Sequence, residues 1–529
     1  MPRILIRNAA IVDGTGTPAR IGDVSIDGDT IVDGKIVPHS GYDRVIDAAG
    51  LTCTPGFIDT HSHSDIQVLL DPAVMPKTRQ GITTEIFGQD GISAAPLPPR
   101  FLEVWRKNLS GITGDSDELD WNWRDTDGYL RRIEDGKGSA TNVAYLVPHG
   151  NIRMEVMGLE DRRASADEIE QMCAVLEREL ESGGIGLSSG LIYMPCAYCG
   201  TNELIALCKV VARYDKPFVV HQRSEADDVI SSMEEILAIG RESGVRIHFS
   251  HFKICGERNL HYRGQMANLL DKAAEEGIRV SFDQYPYTTG STTMTALLPP
   301  WAQSGGPCQL TARLSDSKTR ESITRDICHG IPGWDNFISF AGTGHIRVTS
   351  LHTDKNRGYL GKTLAEIASI RGTSVYDMVY DLLVEENFAV SICTDFGTDE
   401  DIIFFMRRPE QNICTDGLFG LKPHPRLYGS FVRVLEKFVR IDKVLSLEEA
   451  VYKMSGKPAD VFGLCDRGTI CAGKKADLLL FDADKIQDNA TYLEPAKFPS
   501  GFHYIFVNGV PVFESGSTLP NFPGRVIRL

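Results

Sequence analysis

Apolar positions change their spacing twice along this 529-residue chain. In the first 53 residues they form short runs, at 4–11, 24–26, 30–32 and 45–46, cut by Asp-Gly and Gly-Thr-Gly. Short runs between turn dipeptides predict strands joined by hairpins. The same texture returns at 476–481 and 504–512, where Asn508-Gly509 supplies the turn. Two β-rich ends around a long middle predict one small β-sandwich domain, built from 1–53 and 465–529.

From about residue 54 the texture becomes alternating β and α. Apolar runs at 57–61, 83–87, 142–147, 185–188, 218–221, 246–251, 279–282 and 413–416 predict strands. Ser165-x-x-Glu168 is a capping box, opening a helix with Ile169, Met172, Cys173, Leu176 and Leu180 on one face. Residues 225–244 and 264–277 predict two more helices, and Ser446-x-x-Glu449 opens a later one. Eight strands with crossover helices predict an α/β protein with a TIM-like (β/α)8 barrel over 54–464. Residues 288–412 are far more than an ordinary βα-loop. Helical patterns at 363–370 and 374–386 predict an insertion there that partly covers the barrel mouth.

Composition narrows the function classes. At 42% hydrophobic and 24% charged residues the chain is ordinary for a globular protein. A formal charge of −16 argues against binding nucleic acid or an anionic membrane by bulk attraction. No apolar run approaches the roughly 20 residues of a membrane-spanning helix. The first residues, Met-Pro-Arg-Ile-Leu-Ile-Arg-Asn, lack the apolar core of a signal peptide and are expected to be a strand. Twelve scattered cysteines fit buried thiols in a cytoplasmic protein. Cys196-x-x-Cys199 has no second pair with which to build a structural zinc site, so a loop thiol pair is expected.

The candidate chemistry lies at strand ends. The run 57–61 leads into His61-x-His63, and residues i and i+2 of a strand point the same way. Two imidazoles side by side make a claw for a divalent metal, with room left for other donors. His221 ends the run Pro-Phe-Val-Val-His, His251 ends Ile-His-Phe-Ser-His, and Asp416 ends Asn-Ile-Cys-Thr-Asp. In a barrel of this type the functional groups come from those C-terminal strand ends.

That order, HxH…H…H…D, resembles the amidohydrolase superfamily. His221-Gln-Arg-Ser-Glu225, Ser250-His-Phe-Lys253, Asp283-Gln-Tyr-Pro-Tyr287 and His424-Pro-Arg-Leu-Tyr-Gly429 resemble the D-aminoacylase (N-acyl-D-amino-acid deacylase) branch over nearly the whole chain. The resemblance implies a metal-dependent hydrolase that cleaves an N-acyl-D-amino acid to a carboxylate and a free D-amino acid. Zinc is the expected ion, one or two per chain. It implies His221 and His251 as ligands of the main metal, His61 and His63 as partners or holders of a second ion, and Asp416 as the proton shuttle.

One position departs from the branch. D-aminoacylases that this chain resembles carry a zinc-binding cysteine where the sequence reads Gly88-Gln-Asp90. Aspartate is a harder ligand than thiolate and can bridge two ions, so Asp90 is expected in the metal site. By resemblance, Lys253 and Arg426 are expected at the rim for the substrate carboxylate, with Tyr193, Tyr285 and Ser291 contacting substrate. The partner is a small molecule, with no nucleic acid or membrane, and a homo-oligomer stays open. Two alternatives stay open as well. One is an amidohydrolase of a D-dipeptide, an N-acyl-D-glutamate or a cyclic amide, the last weakened because 185–193 holds no lysine to bridge metals. The other is a catalytically silent scaffold, against which the intact His61, His63, His221, His251 and Asp416 speak.

Overall fold

The computed structural model describes residues 2–33 and 41–529. The two β-rich ends meet in one nine-stranded sheet. The joint is antiparallel pairing of Thr52–Pro55 with Leu478–Phe481, Pro55 standing opposite Leu478. Phe502–Val507 and Val510–Glu514 form the predicted hairpin. Asn508 (φ 47°) and Gly509 (φ 76°) both take the left-handed conformation that matches strand twist in a two-residue turn. A Cβ on Gly509 would lie 1.9 Å from the Gly28 carbonyl oxygen, so only glycine fits there. Alternate residues Ile4, Ile6, Leu478 and Leu480 fill the core beneath this sheet.

The middle is the barrel. Its strands are β1 (Phe57–Asp59), β2 (Ile82–Phe87), β3 (Asn142–Tyr145), β4 (Leu187–Gly190), β5 (Pro217–His221), β6 (Arg246–Phe249), β7 (Val280–Gln284) and β8 (Gln411–Ile413). All pairings are parallel and sequential, with β3 continued to β4 by Val147–Pro148. A parallel bridge between Ser62 and Gly417 closes the circle, helped by the Asp416 N–H donating to the His61 carbonyl at 2.9 Å. Buried on both sides, these strands read as near-continuous apolar runs. The Ser165/Glu168 capping box forms and opens Ala166–Glu181, burying Met172, Leu176 and Leu180.

Several element limits differ from expectation. The strands expected over 57–61, 142–147, 185–188 and 413–416 run over 57–59, 142–145, 187–190 and 411–413. Two further differences matter for the site. The helix expected over 225–244 spans Val229–Ser243. Its predicted first turn is drawn out of the helix by Asp335, which accepts hydrogen bonds from Ser224 Oγ (2.6 Å) and the Glu225 N–H (2.7 Å). The strand expected over 246–251 stops at Phe249, and His251 lies beyond it with φ 35°.

Residues after β7 build a three-stranded antiparallel sheet of Thr289–Thr293, Ser391–Asp395 and Ile346–Ser350. Helices Pro307–Ser315, Ser317–His329, Leu364–Arg371 and Val375–Glu385 accompany it, the last two capped by Thr363 and Ser374. The unit has its own apolar core, including Leu297, Leu310, Ile367, Leu382 and Ile392. Through Phe337 and Phe396 it reaches the cavity at the barrel mouth.

Candidate metal centre

The chain leaving β1 is tied down from below. Asp59 accepts from the Thr415 N–H (2.8 Å) and Thr415 Oγ1 (2.6 Å), and from Lys77 Nζ (2.8 Å). Lys77 is fully buried and also donates to Ser62 Oγ at 3.0 Å. One buried ion pair therefore clamps the HxH segment to the residue before Asp416. Asp283 does the same across the barrel, accepting from Thr60 Oγ1 (2.9 Å) and the His251 N–H (2.5 Å) and contacting His248 Nε2 (3.0 Å).

Above these clamps six side chains converge. His61 Nε2 and His63 Nε2 lie 3.2 Å apart. Both face Asp90 Oδ2, at 3.5 and 3.6 Å, and Asp416 Oδ1, at 3.7 and 3.4 Å. The other oxygen of Asp90 faces His221 Nδ1 at 3.9 Å and His251 Nε2 at 3.6 Å. Asp90 thus stands between two histidine pairs, one oxygen toward each. Asp90 (φ 56°), His251 (φ 35°) and Asp416 (φ 46°) all have left-handed backbone. Non-glycine residues in this conformation carry strain, and such residues collect at functional sites.

The donor set fits a divalent metal. His61 Nδ1, His63 Nδ1, Asp90 Oδ1 and both ring nitrogens of His221 are buried without a hydrogen-bond partner. Each such atom costs about 1–3 kcal/mol when left unsatisfied. Four imidazoles and two carboxylates around one point are the donors that zinc and its neighbours take.

Electrostatics points the same way. Burial by itself lowers the His63 pKa, but Asp416 and Asp90 outweigh it and raise the value to about 9. Burial and Lys253 push His251 down, and Glu225 and Asp90 bring it up to about 10. His221 goes the other way, to about 3, chiefly through burial. Burial pushes Asp416 up, but Arg426 and His61 prevail and hold it well below the carboxylate range. A cation must displace the protons on His63 and His251 before it can bind. Both pKa values are raised above the ordinary 6.5, so proton competition is full at low pH and fades as pH rises through 9 to 10. Apparent zinc affinity is therefore expected to rise by about one to two decades per pH unit between roughly pH 6.5 and 9. Competition with a chromophoric chelator measures this, and a flat profile contradicts it.

A cavity opens over the cluster. Tyr193, Lys253, Tyr285 and Ser291 line it, with Ile112, Ile192, Phe337, Phe396 and Leu418 as apolar walls. The Tyr193 hydroxyl pairs with Thr292 Oγ1 at 2.8 Å, its ring edge-on to His221. Lys253 Nζ donates to Glu225 Oε1 at 2.7 Å. Arg426 does not stand at the rim as expected. It is fully buried behind Tyr285, 4.4 Å from the ring centroid, with NH1 2.8 Å from Asp416 Oδ2 and NH2 donating to the Ser291 carbonyl at 3.0 Å. Its stem starts from the helix Arg426–Arg433, whose first residue points inward beneath the loop carrying Asp416.

Glu225, Lys77 and Asp283 enter the site without an assigned role in the sequence. Glu225 and Asp283 sit in two of the quoted motifs, while nothing in the Lys77 context marks a buried lysine. Cys196 and Cys199 are free thiols. His149, Cys199 and Glu203 lie within reach of one another. Glu203, however, already accepts from Arg153 on both oxygens (2.9 and 2.7 Å) and contacts His149 Nε2 at 2.8 Å, so that group is satisfied as it stands.

Known proteins share this architecture. Residues 44–199 and 415–513 match the amidohydrolase family. An N-acyl-D-aspartate deacylase of Alcaligenes xylosoxydans xylosoxydans is 33% identical over 99% of this chain and 94% of its own. A D-aminoacylase of the same organism is 31% identical over 99% and 97%. The chain belongs to the D-aminoacylase family of amidohydrolases. It also superposes on the N-acyl-D-glutamate deacylase of Bordetella bronchiseptica, solved with zinc and a phosphonate mimic of the tetrahedral intermediate. The TM-score is 0.84 at 31% identity, with both chains covered in full. As a member of the D-aminoacylase family the chain is a metal-dependent amidohydrolase, and no helix among the described residues is long and apolar enough to cross a membrane.

Proposed function

We propose that this enzyme hydrolyses the amide of N-acyl-D-amino acids with neutral side chains, releasing a carboxylate and the D-amino acid. The observation that carries the proposal is the convergence of four histidines, three of them with unpartnered ring nitrogens, on Asp90 and Asp416 at the floor of a cavity with one lysine in its wall. His61, His63, Asp90, His221 and His251 would hold one or two divalent ions, zinc first among them. Bound there, the metal supplies Lewis acidity, polarising a carbonyl and acidifying water.

The other steps fall to side chains. Asp416 is anionic, with Arg426 on one oxygen and the other free toward the histidines, so it can accept the proton of the attacking water. It then hands that proton to the departing amine nitrogen. Lys253 and, from behind, Arg426 supply positive charge for the α-carboxylate. Tyr285, Ser291 and Tyr193 are hydroxyl donors along the wall, placed to orient the acyl group and the carboxylate. The barrel over 54–464, the β-domain of the two ends and the insertion at 288–412 are the units of the proposal. Twelve unpaired cysteines fit a reducing compartment, and we place the enzyme in the cytoplasm.

The choice of neutral side chains rests on charge. Among the described residues lining the cavity Lys253 is the only lysine or arginine, and Glu225 already neutralises it. A substrate with an acidic side chain brings a second carboxylate, which would meet Ile112, Ile192, Phe337, Phe396 or Leu418. Burying a charge without a partner is strongly unfavourable. N-acetyl-D-leucine and N-acetyl-D-methionine are therefore expected to exceed N-acetyl-D-aspartate and N-acetyl-D-glutamate in kcat/KM by about tenfold or more, since each 1.4 kcal/mol lost is a factor of ten. Faster turnover of the acidic pair contradicts the side-chain assignment.

A further inference from the structure

Glu225 lies on the far side of the two histidines that share Asp90 Oδ1. Its Oε1 is 3.1 Å from His251 Nδ1, and its Oε2 is 3.7 Å from His221 Nε2. The nitrogens that face Asp90 are the opposite ones, His251 Nε2 and His221 Nδ1. One carboxylate therefore confronts the outward nitrogen of both rings, and another the inward nitrogen of both.

We propose that Glu225 is the positioning residue of this half of the metal centre, orienting the His251 ring through Nδ1 at 3.1 Å and facing His221 Nε2 at 3.7 Å. A carboxylate on the outward nitrogen of a ligating imidazole holds the ring so that its other nitrogen faces the metal site. The nitrogens turned toward Asp90 are Nδ1 of His221 and Nε2 of His251. This inference rests on the metal-centre assignment above.

The carboxylate is itself held. The Glu225 N–H donates to Asp335 Oδ2 at 2.7 Å, and its carbonyl accepts from the Cys255 N–H at 2.7 Å. Lys253 Nζ lies 2.7 Å from Oε1 and 2.8 Å from His251 Nδ1, so it packs against the same contact. Asp335 comes from the insertion and Lys253 from beyond β6, so three parts of the chain converge to place one side chain at the cavity wall. The i, i+4 spacing from His221 would suggest a helical pair. The observed role depends instead on Ser224 and Glu225 being drawn out of the helix.

The test is zinc affinity of Glu225→Gln and Glu225→Ala, read by competition with a chromophoric chelator, with the absorption spectrum of cobalt-loaded protein as a second readout. Removal of an outer carboxylate is expected to weaken zinc binding by about 10- to 100-fold and to alter the cobalt spectrum. Glu225→Gln keeps the size of the side chain, and an unchanged melting midpoint of metal-free protein certifies its fold. Lys253→Met separates the two roles of the pair. It should raise KM while holding zinc affinity within about threefold, far short of the outer-carboxylate effect. Wild-type affinity in both Glu225 variants overturns the inference alone. Wild-type protein that takes up no zinc overturns the metal assignment and this inference with it.

Discussion

Asp416→Asn is expected to lower turnover by about 10³-fold or more, in the upper range for loss of a general acid–base group. The substitution keeps the shape and one carbonyl oxygen, so the contact with Arg426 NH1, 2.8 Å in the parent, can persist. It removes the ability to take a proton and return it. His61, His63, Asp90, His221 and His251 are untouched, so zinc content and the folded spectrum should match the parent. Amine release from an N-acetyl-D-amino acid reads the rate, and an unchanged rate removes Asp416 from the mechanism.

The second large effect belongs to Asp90. Among the described residues it is the only carboxylate with one oxygen toward each histidine pair, and its removal leaves four imidazoles without a shared anion between them. Asparagine suits the φ of 56° at this position, so Asp90→Asn deletes the charge and spares the backbone. Zinc affinity is expected to fall by about 100-fold or more, by analogy with the loss of a ligand whose removal exceeds outer-shell effects, and activity at trace zinc should vanish with it. Asp90→Cys should instead regain zinc and lose affinity for manganese, because thiolate is the softer donor. Elemental analysis after dialysis checks both, and full zinc occupancy in Asp90→Asn would make Asp90 a structural residue.

The barrel was legible because parallel strands buried on both faces leave apolar runs that end in chemistry. His221 and Asp416 could be found from the polar residue that closes each run. His61, His63 and His251 could be found the same way, although these three and Asp416 lie past their strands in segments whose backbone the sequence did not reveal. Asp90 came from resemblance alone, since a Gly-Gln-Asp-Gly stretch by itself reads as a turn. Contacts between distant segments stayed hidden. Lys77 looks like a surface lysine in Met-Pro-Lys-Thr, yet Asp59 and Thr415 enclose it. Arg426 looked like a rim cation, and only the packing of its helix under Tyr285 shows it buried against Asp416. Glu225 fitted a helix pattern, and the bond to Asp335, 110 residues away, is what removes it from one.

The most direct test of the whole account is hydrolysis of N-acetyl-D-leucine and N-acetyl-L-leucine by protein stripped of metal and then reloaded with zinc. The account predicts no turnover in stripped protein, restoration by zinc, and restoration for the D enantiomer only. Turnover without metal, or equal turnover of the two enantiomers, would contradict it.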